Sequence, residues 1–167
     1  MNKSEENLKA AFAGESQANR TYLAFAKAAD KDGFPQIAKL FRAAAEAETV
    51  HALNHLNVIG KVKSTVENLE AAVSGETYEF KTMYPQFIED AKKEGNKKAL
   101  QSFDYANKVE QIHADLYQKA VESAKAKKDL PNAEISVCPV CGNTFVGKEP
   151  DACPICGTAK AKFIKIA

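Results

Sequence analysis

Two cysteine pairs stand near the end of the chain, Cys138-Pro-Val-Cys141-Gly and Cys153-Pro-Ile-Cys156-Gly, with eleven residues between them. Each C-x2-C forms a tight knuckle whose backbone amides can donate to sulfur, and four thiolates so spaced close a tetrahedron around one ion. Zinc and a single iron both suit an all-sulfur tetrahedron, and spacing alone does not choose between them. Two disulfides fit poorly. A C-x2-C loop makes a strained bridge, and the first residues, MNKSEENLKAAFAGES, lack the apolar stretch of a secretion signal.

A second constellation emerges when the chain is laid on itself. A shift of 61 pairs Gly14-Glu15-Ser16 with Gly75-Glu76-Thr77, and a shift of 62 pairs Tyr22 with Tyr84 and Gly33 with Gly95. The shift of 62 also pairs Glu48-Thr-Val-His51 with Glu110-Gln-Ile-His113. Each half therefore offers one Glu and one Glu-x-x-His. Glu79 has no counterpart, because the matching positions hold Gln17 and Ala18.

At helical spacing these residues interrupt apolar stripes: Leu8, Phe12, Glu15, Tyr22, Ala26; then Phe41, Ala44, Glu48, His51, Val58; then Val73, Glu76, Glu79 or Phe80, Met83, Phe87; then Phe103, Ala106, Glu110, His113, Ala120. A lone Glu on a helix is ordinarily solvated. Five on core faces would repel one another and be costly to bury, and the stripes hold no Lys or Arg to compensate them. Two metal cations would neutralise Glu15, Glu48, Glu76, Glu79 and Glu110, with His51 and His113 completing the coordination. One Glu from each of two helices and Glu-x-x-His from the others is the donor pattern of ferritin-like di-iron or di-manganese bundles. Such oxygen-rich sites favour iron or manganese. Tyr22 and Tyr84 lie about two turns from a Glu on the same stripes and are candidates to hydrogen-bond ligand carboxylates from behind. His55 is matched by Tyr117 in the second half and gains no ligand role from the repeat, while Glu46 falls off the stripe and is expected in solvent.

The elements that must position these groups are helices. Sparse Gly and Pro and a period near 3.6 predict a first helix capped by Ser4 and ending near Gly33, and a second from Pro35 to Gly60. A third, capped by Ser64 or Thr65, runs to Gly95 with a break near Gly75 and a kink at Pro85. Asn96 caps a fourth, which reaches Lys127. Short connections predict an antiparallel four-helix bundle. Past Lys128 the texture turns to β-prone pieces and turns, too short to hold together by burial alone. The expected division is residues 1–130 for the bundle and 131–167 for the cysteine segment.

With 167 residues, 45% hydrophobic and 27% charged, the chain reads as a packed soluble protein. A formal net charge of +1 gives no reason to expect a nucleic-acid partner, and no apolar run approaches the ~20 residues that span a bilayer.

Taken in order, AFAGESQAN, the Glu48-x-x-His51 of FRAAAEAETVHALNH, GETYEFKTMYP, the Glu110-x-x-His113 of VEQIHADLY and the two knuckles resemble the rubrerythrin family over nearly the whole chain. The resemblance implies a ferritin-like bundle with a non-haem di-iron centre and a rubredoxin-like tail holding one iron on Cys138, Cys141, Cys153 and Cys156. It implies Glu48 and Glu110 as bridging carboxylates, Glu15 and Glu76 as terminal ones, and His113 as a ligand to one iron. Glu79 and His51 would exchange on the other iron with redox state. Phe80 stands where the family would be expected to have Trp. The implied activity is a cytoplasmic peroxidase that reduces hydrogen peroxide to water. Its electrons would come through the tail from rubredoxin or an NAD(P)H-dependent reductase. Ferritin-type iron oxidation is the alternative, and a zinc-ribbon protein without turnover a third reading. His113 lies about 20 Å, at 1.5 Å per residue, before the end of the last helix. A tail continuing from that end would start far from its own site, so a head-to-tail homodimer is expected.

Overall fold

The computed structural model describes residues 2–167. They form two compact units, the first ending at Lys63 and the second running from Ser64 to Ala167.

In the first unit α1 (Lys3–Lys31) and α2 (Pro35–Ile59) fold back on each other. Asn2, not Ser4, caps α1: its side chain accepts from the Glu5 N–H, and Ser4 is already helical. The turn between the helices uses Gly33 at φ +83°, a left-handed conformation that favours glycine, and Pro35 opens α2. The buried seam of α2 is Ala38, Ala45 and Ala52, a seven-residue repeat of small side chains that lets the two backbones approach closely. This differs from the expected core stripe through Phe41, Glu48 and Val58, which lies beside the seam. Asn19 crosses the hairpin, its amide donating to Ala45 O at 2.7 Å and to Thr49 Oγ1 at 2.9 Å.

The second unit opens with α3 (Thr65–Tyr78), whose N-terminus is closed by a reciprocal capping box between Ser64 and Glu67. The helix runs without a break through Gly75 and then widens into a π-helical turn at Glu79–Met83 before α4 (Tyr84–Lys93). The expected break at Gly75 is thus a π-turn four residues later. A π-turn accommodates one extra residue within a continuing helix. That is why the internal repeat changes from a shift of 61 at Gly75-Glu76 to 62 at Tyr84. The antiparallel partner, α5 (Lys97–Lys125), is capped by Asn96 and ends two residues before Lys127.

The repeat survives in three dimensions. Tyr22, Phe25 and Phe41 form a ring cluster with centroid separations of 6.4, 6.2 and 5.5 Å. Their counterparts Tyr84, Phe87 and Phe103 form another at 6.1, 6.4 and 5.5 Å.

After α5 the chain forms a small antiparallel sheet of β1 (Ile135–Val137), β2 (Thr144–Val146) and β3 (Ile164–Ile166), in the order β2-β1-β3. Ser136 faces Phe145 on one side and Lys165 on the other. Phe145 stacks on Phe163 at 4.6 Å. The Glu149 carboxylate, 5% exposed, is held by Lys160 at 3.3 Å and Lys165 at 3.1 Å, and Lys165 also bonds Glu134. So few apolar side chains cannot stabilise the tail by themselves.

Candidate metal centres

Glu48 and His51 lie one helical turn apart on α2, so both project from one side, and His51 Nδ1 lies 2.8 Å from Glu48 Oε2. Glu15 on α1 joins them, with one ligand atom from each of the three within 4.8 Å of the others. The second unit repeats the arrangement. His113 Nδ1 lies 2.7 Å from Glu110 Oε2 on α5, and Glu76 from α3 completes a cluster of the same span.

Electrostatics in the second cluster are those of crowded, half-buried carboxylates. Burial, the charge of Glu110, a hydrogen bond to Glu110 and the charge of Glu79 push Glu76 up to about 7. Glu79, at the start of the π-turn, is raised by burial and Glu110 against the opposing pull of His113. Tyr84 is raised by burial and then by Glu110, Glu79 and Glu76, so its hydroxyl belongs to the same neighbourhood. Such a cluster is relieved either by protons or by a cation. Three converging donors of oxygen and imidazole type in each unit fit iron.

In the tail, Cys138 and Cys156 sulfurs lie 3.5 Å apart, as do those of Cys141 and Cys153, and all four group within 4.8 Å. Metal–sulfur bonds of about 2.3 Å imply tetrahedral edges of about 3.8 Å, so the cage is close to size. None of the four is in a disulfide. Burial opposes ionisation at Cys153 and Cys156, yet hydrogen bonds outweigh it and hold both thiols below their usual range. The donors are the backbone of Cys156 and Ile155 at Cys153, and Thr158 at Cys156. Burial raises Cys141. Knuckle amides thus favour thiolate on one side of the cage.

The tail does not continue away from α5. It doubles back, and Thr144 Oγ1 on β2 meets His113 Nε2 at 2.9 Å. A Cβ placed on Gly142, just past the first knuckle, would sit 3.9 Å from Val109 Cγ1 on α5. The expectation that the tail lies far from its own His113 is therefore corrected. The calculation followed the helix to its end but not the return of residues 126–134, which lets β2 lie against α5. A mostly apolar groove of about 720 Å³ borders this contact, lined by His113, Tyr117, Leu130, Ile135, Thr144 and Val146 among others.

Paired Glu/Glu/His clusters on helical hairpins, followed by a four-thiolate cage, define a non-haem metal protein of the ferritin-like class with a rubredoxin-like tail. The family model for rubrerythrin matches residues 6–121, and that for the rubrerythrin rubredoxin-like domain matches 137–164. The chain belongs to the rubrerythrin family. It is 39% identical to rubrerythrin-2 of Clostridium acetobutylicum over 93% of this chain and 92% of that one. It is 41% identical to nigerythrin of Nitratidesulfovibrio vulgaris over 86% and 77% of the two chains. Among solved structures, fully reduced, all-ferrous nigerythrin matches with a TM-score of 0.59 at 36% identity, covering 99% of this chain and 88% of that one. The ferritin-like fold and the iron-binding donor sets follow from this membership and from the clusters themselves.

Of the residues singled out in the sequence, Glu15, Glu48 and His51 come together in one unit and Glu76, Glu110 and His113 in the other, with Glu79 close to the latter. Tyr22 packs on Phe25 and Phe41, His55 is half-buried and Glu46 is exposed. Phe80 carries the Lys81 ammonium 5.6 Å above its ring. Thr144 and Glu149 were not anticipated. Neither belongs to a spacing motif, and only the packing of the tail gives them partners. Among the described residues no helix is long and apolar enough to cross a membrane.

Proposed function

We propose that the two Glu/Glu/His clusters complete one another around a pair of irons, and that the protein is a cytoplasmic peroxidase that reduces hydrogen peroxide to water. The observation that carries this reading is the direct contact between His113 of one cluster and Thr144 of the four-cysteine tail. It supports reading an electron-carrying tail and a peroxide-reducing site as parts of one device. When bound, the ferrous pair supplies two electrons which, with two protons, convert peroxide to two waters.

The residues divide the remaining work. Glu48 and Glu110 would bridge the ions, Glu15 and Glu76 would hold one each, and His113 would hold one iron through Nδ1. Glu79 and His51 would exchange on the other iron. The π-turn supports that role for Glu79, because it gives the second half a carboxylate where the first has only Gln17 and Ala18. Tyr84 would steady the carboxylates by hydrogen bonding, and Tyr22 would do so in the other half. Cys138, Cys141, Cys153 and Cys156 would carry single electrons from rubredoxin or an NAD(P)H-dependent reductase. Functionally the division falls at residues 1–130 and 131–167. A dimer remains part of the proposal, but the distance argument for a tail serving its partner's bundle falls away with the contact between Thr144 and His113.

Ferritin-type iron oxidation is the second reading. The tail counts against it, since oxidation of iron by dioxygen needs no incoming electron relay. Metal analysis with a visible spectrum, followed by anaerobic titration of the reduced protein with peroxide, separates the readings. A thiolate-to-iron chromophore, two further irons per chain and oxidation by one peroxide per iron pair support the peroxidase. Zinc in the tail, or reoxidation by dioxygen much faster than by peroxide, overturns it.

A further inference from the structure

We propose that the Asn143 side chain tunes the four-thiolate site: its amide donates to Cys153 Sγ across the cage and so holds a bound iron at a higher midpoint potential than the knuckle backbone alone would set. The inference rests on the reading of the tail as an iron relay, and it adds to that relay a residue outside the cysteine spacing.

A shift of 15 lays the first knuckle on the second, pairing Cys138 with Cys153, Cys141 with Cys156, Gly142 with Gly157 and Asn143 with Thr158. The backbones agree closely. Cys138 N–H donates to Asn143 O at 2.9 Å, and Cys153 N–H to Thr158 O at 2.8 Å. Gly142 N–H donates to Cys138 O at 2.9 Å, and Gly157 N–H to Cys153 O at 2.8 Å. The Asn143 backbone N–H donates to the Cys141 sulfur, as that of Thr158 does to Cys156. Only the side chains break the symmetry. Thr158 Oγ1 lies 3.1 Å from Cys156 Sγ in its own knuckle, whereas Asn143 Nδ2 crosses to Cys153 Sγ of the other knuckle at 3.9 Å.

Both partners of that crossing contact are shut from solvent, Asn143 being 2% exposed and Cys153 3%. Asn143 Oδ1 has no hydrogen-bond partner among the described residues. Burying half an amide unpaired costs free energy that an apolar side chain of the same size would avoid. The opposite orientation would turn the carbonyl oxygen onto a thiolate, so charge fixes Nδ2 towards the sulfur. Reduction brings one electron from the donor protein, turns ferric iron to ferrous and leaves the cage with one more negative charge. A buried N–H aimed at a sulfur stabilises that added charge and raises the potential. The tail then fills readily from its donor and yields its electron to a carboxylate site that peroxide has oxidised.

The test compares full-length wild type, Asn143→Leu and Asn143→Thr, each with iron loaded in the tail, by anaerobic titration against redox mediators while the thiolate-to-iron absorption is followed. Asn143→Leu keeps the volume and removes the donor. At the wild-type midpoint its ratio of reduced to oxidised tail is expected to be about tenfold lower, a fall of about 59 mV. Asn143→Thr copies the residue of the second knuckle, which donates to its own sulfur, and is expected to recover most of the fall. A second measurement needs no variant. In the cadmium-loaded wild-type protein, NMR is expected to show scalar coupling between the metal and an Asn143 side-chain amide proton through Cys153 Sγ. An unchanged midpoint in Asn143→Leu, an equal fall in Asn143→Thr, or absence of the coupling overturns the proposal. If Asn143→Leu assembles no cage, the coupling decides. If the protein as isolated carries zinc in its tail, the relay reading fails, while the midpoints of the iron-loaded forms still decide the role of Asn143.

Discussion

The imidazole of His113 is held at both nitrogens, Nδ1 lying 2.7 Å from Glu110 Oε2 and Nε2 lying 2.9 Å from Thr144 Oγ1. The Glu110 carboxylate accepts, so Nδ1–H donates to it and Nε2 accepts from the Thr144 hydroxyl; with iron on Nδ1 the ring proton would instead sit on Nε2 and be donated to Thr144. A strand of the cysteine tail thereby sets the orientation of a metal-cluster histidine. Thr144→Val keeps the shape and removes the acceptor. Iron affinity of the carboxylate site, measured by competition with a chelator, is expected to fall about 10-fold or more. Thr144→Ser is expected to restore it. Equal affinity in all three proteins would remove the coupling.

Val109 connects the same two elements by packing. It is 2% exposed on α5 and adjoins Gly142, which stands at φ +84° where a side chain is strained. Val109→Ala deletes two buried methyl groups and leaves a cavity, costing about 2 kcal/mol by urea unfolding. Amide exchange in residues 138–146 is expected to quicken in the variant, since the knuckle loses its support. Unchanged protection there would show that the tail is anchored elsewhere.

Glu149 provides a pH signature. The Ser136 hydroxyl, then Lys165 and Lys160, hold its carboxyl down at about 2 in the folded tail. The folded value lies below the unfolded one of 4.5, so the stabilisation is complete above 4.5 and is lost as pH falls towards 2. Glu149→Gln is expected to lower the melting temperature of the zinc-loaded tail at pH 6. The gap from wild type should narrow steadily as the buffer is taken below 4.5. A gap that stays constant would assign the loss to packing instead of charge.

Much of this was legible in the residues because both donor sets are encoded locally. Glu48 and His51 share a helix turn, as do Glu110 and His113, and each cysteine pair closes its own knuckle. What the sequence hid depends on the path of the chain. Ala38, Ala45 and Ala52 form the buried seam although bulkier residues define the apolar stripe, because close helix approach rewards small side chains. The return of residues 126–134, which brings Thr144 to His113, carries no periodic signal. The change of repeat shift at Glu79–Met83 is visible as arithmetic, but only the folded helix reveals it as a π-turn.

That turn yields a last prediction. π-Helical turns are rare, of poorer local geometry than the α-helix, and concentrated at functional sites. Deleting Lys81 removes the extra residue, lets residues 65–93 wind as one α-helix and restores the shift of 61 throughout. Tyr84, Phe87 and Phe103 should keep their cluster, so helical content by circular dichroism is expected to be unchanged and the melting temperature equal or higher. Glu79 then takes the place that Ala18 has in the first half and leaves the neighbourhood of Glu76 and Glu110. Its charge no longer raises Glu76, so the proton taken up there near pH 7 is expected to bind at lower pH. If Glu79 exchanges with His51, peroxide turnover should fall at least about 10-fold while iron remains bound. Glu79→Ala, which keeps the π-turn, is expected to lose turnover to the same extent. A deletion variant with full turnover would show that the extra residue serves packing alone.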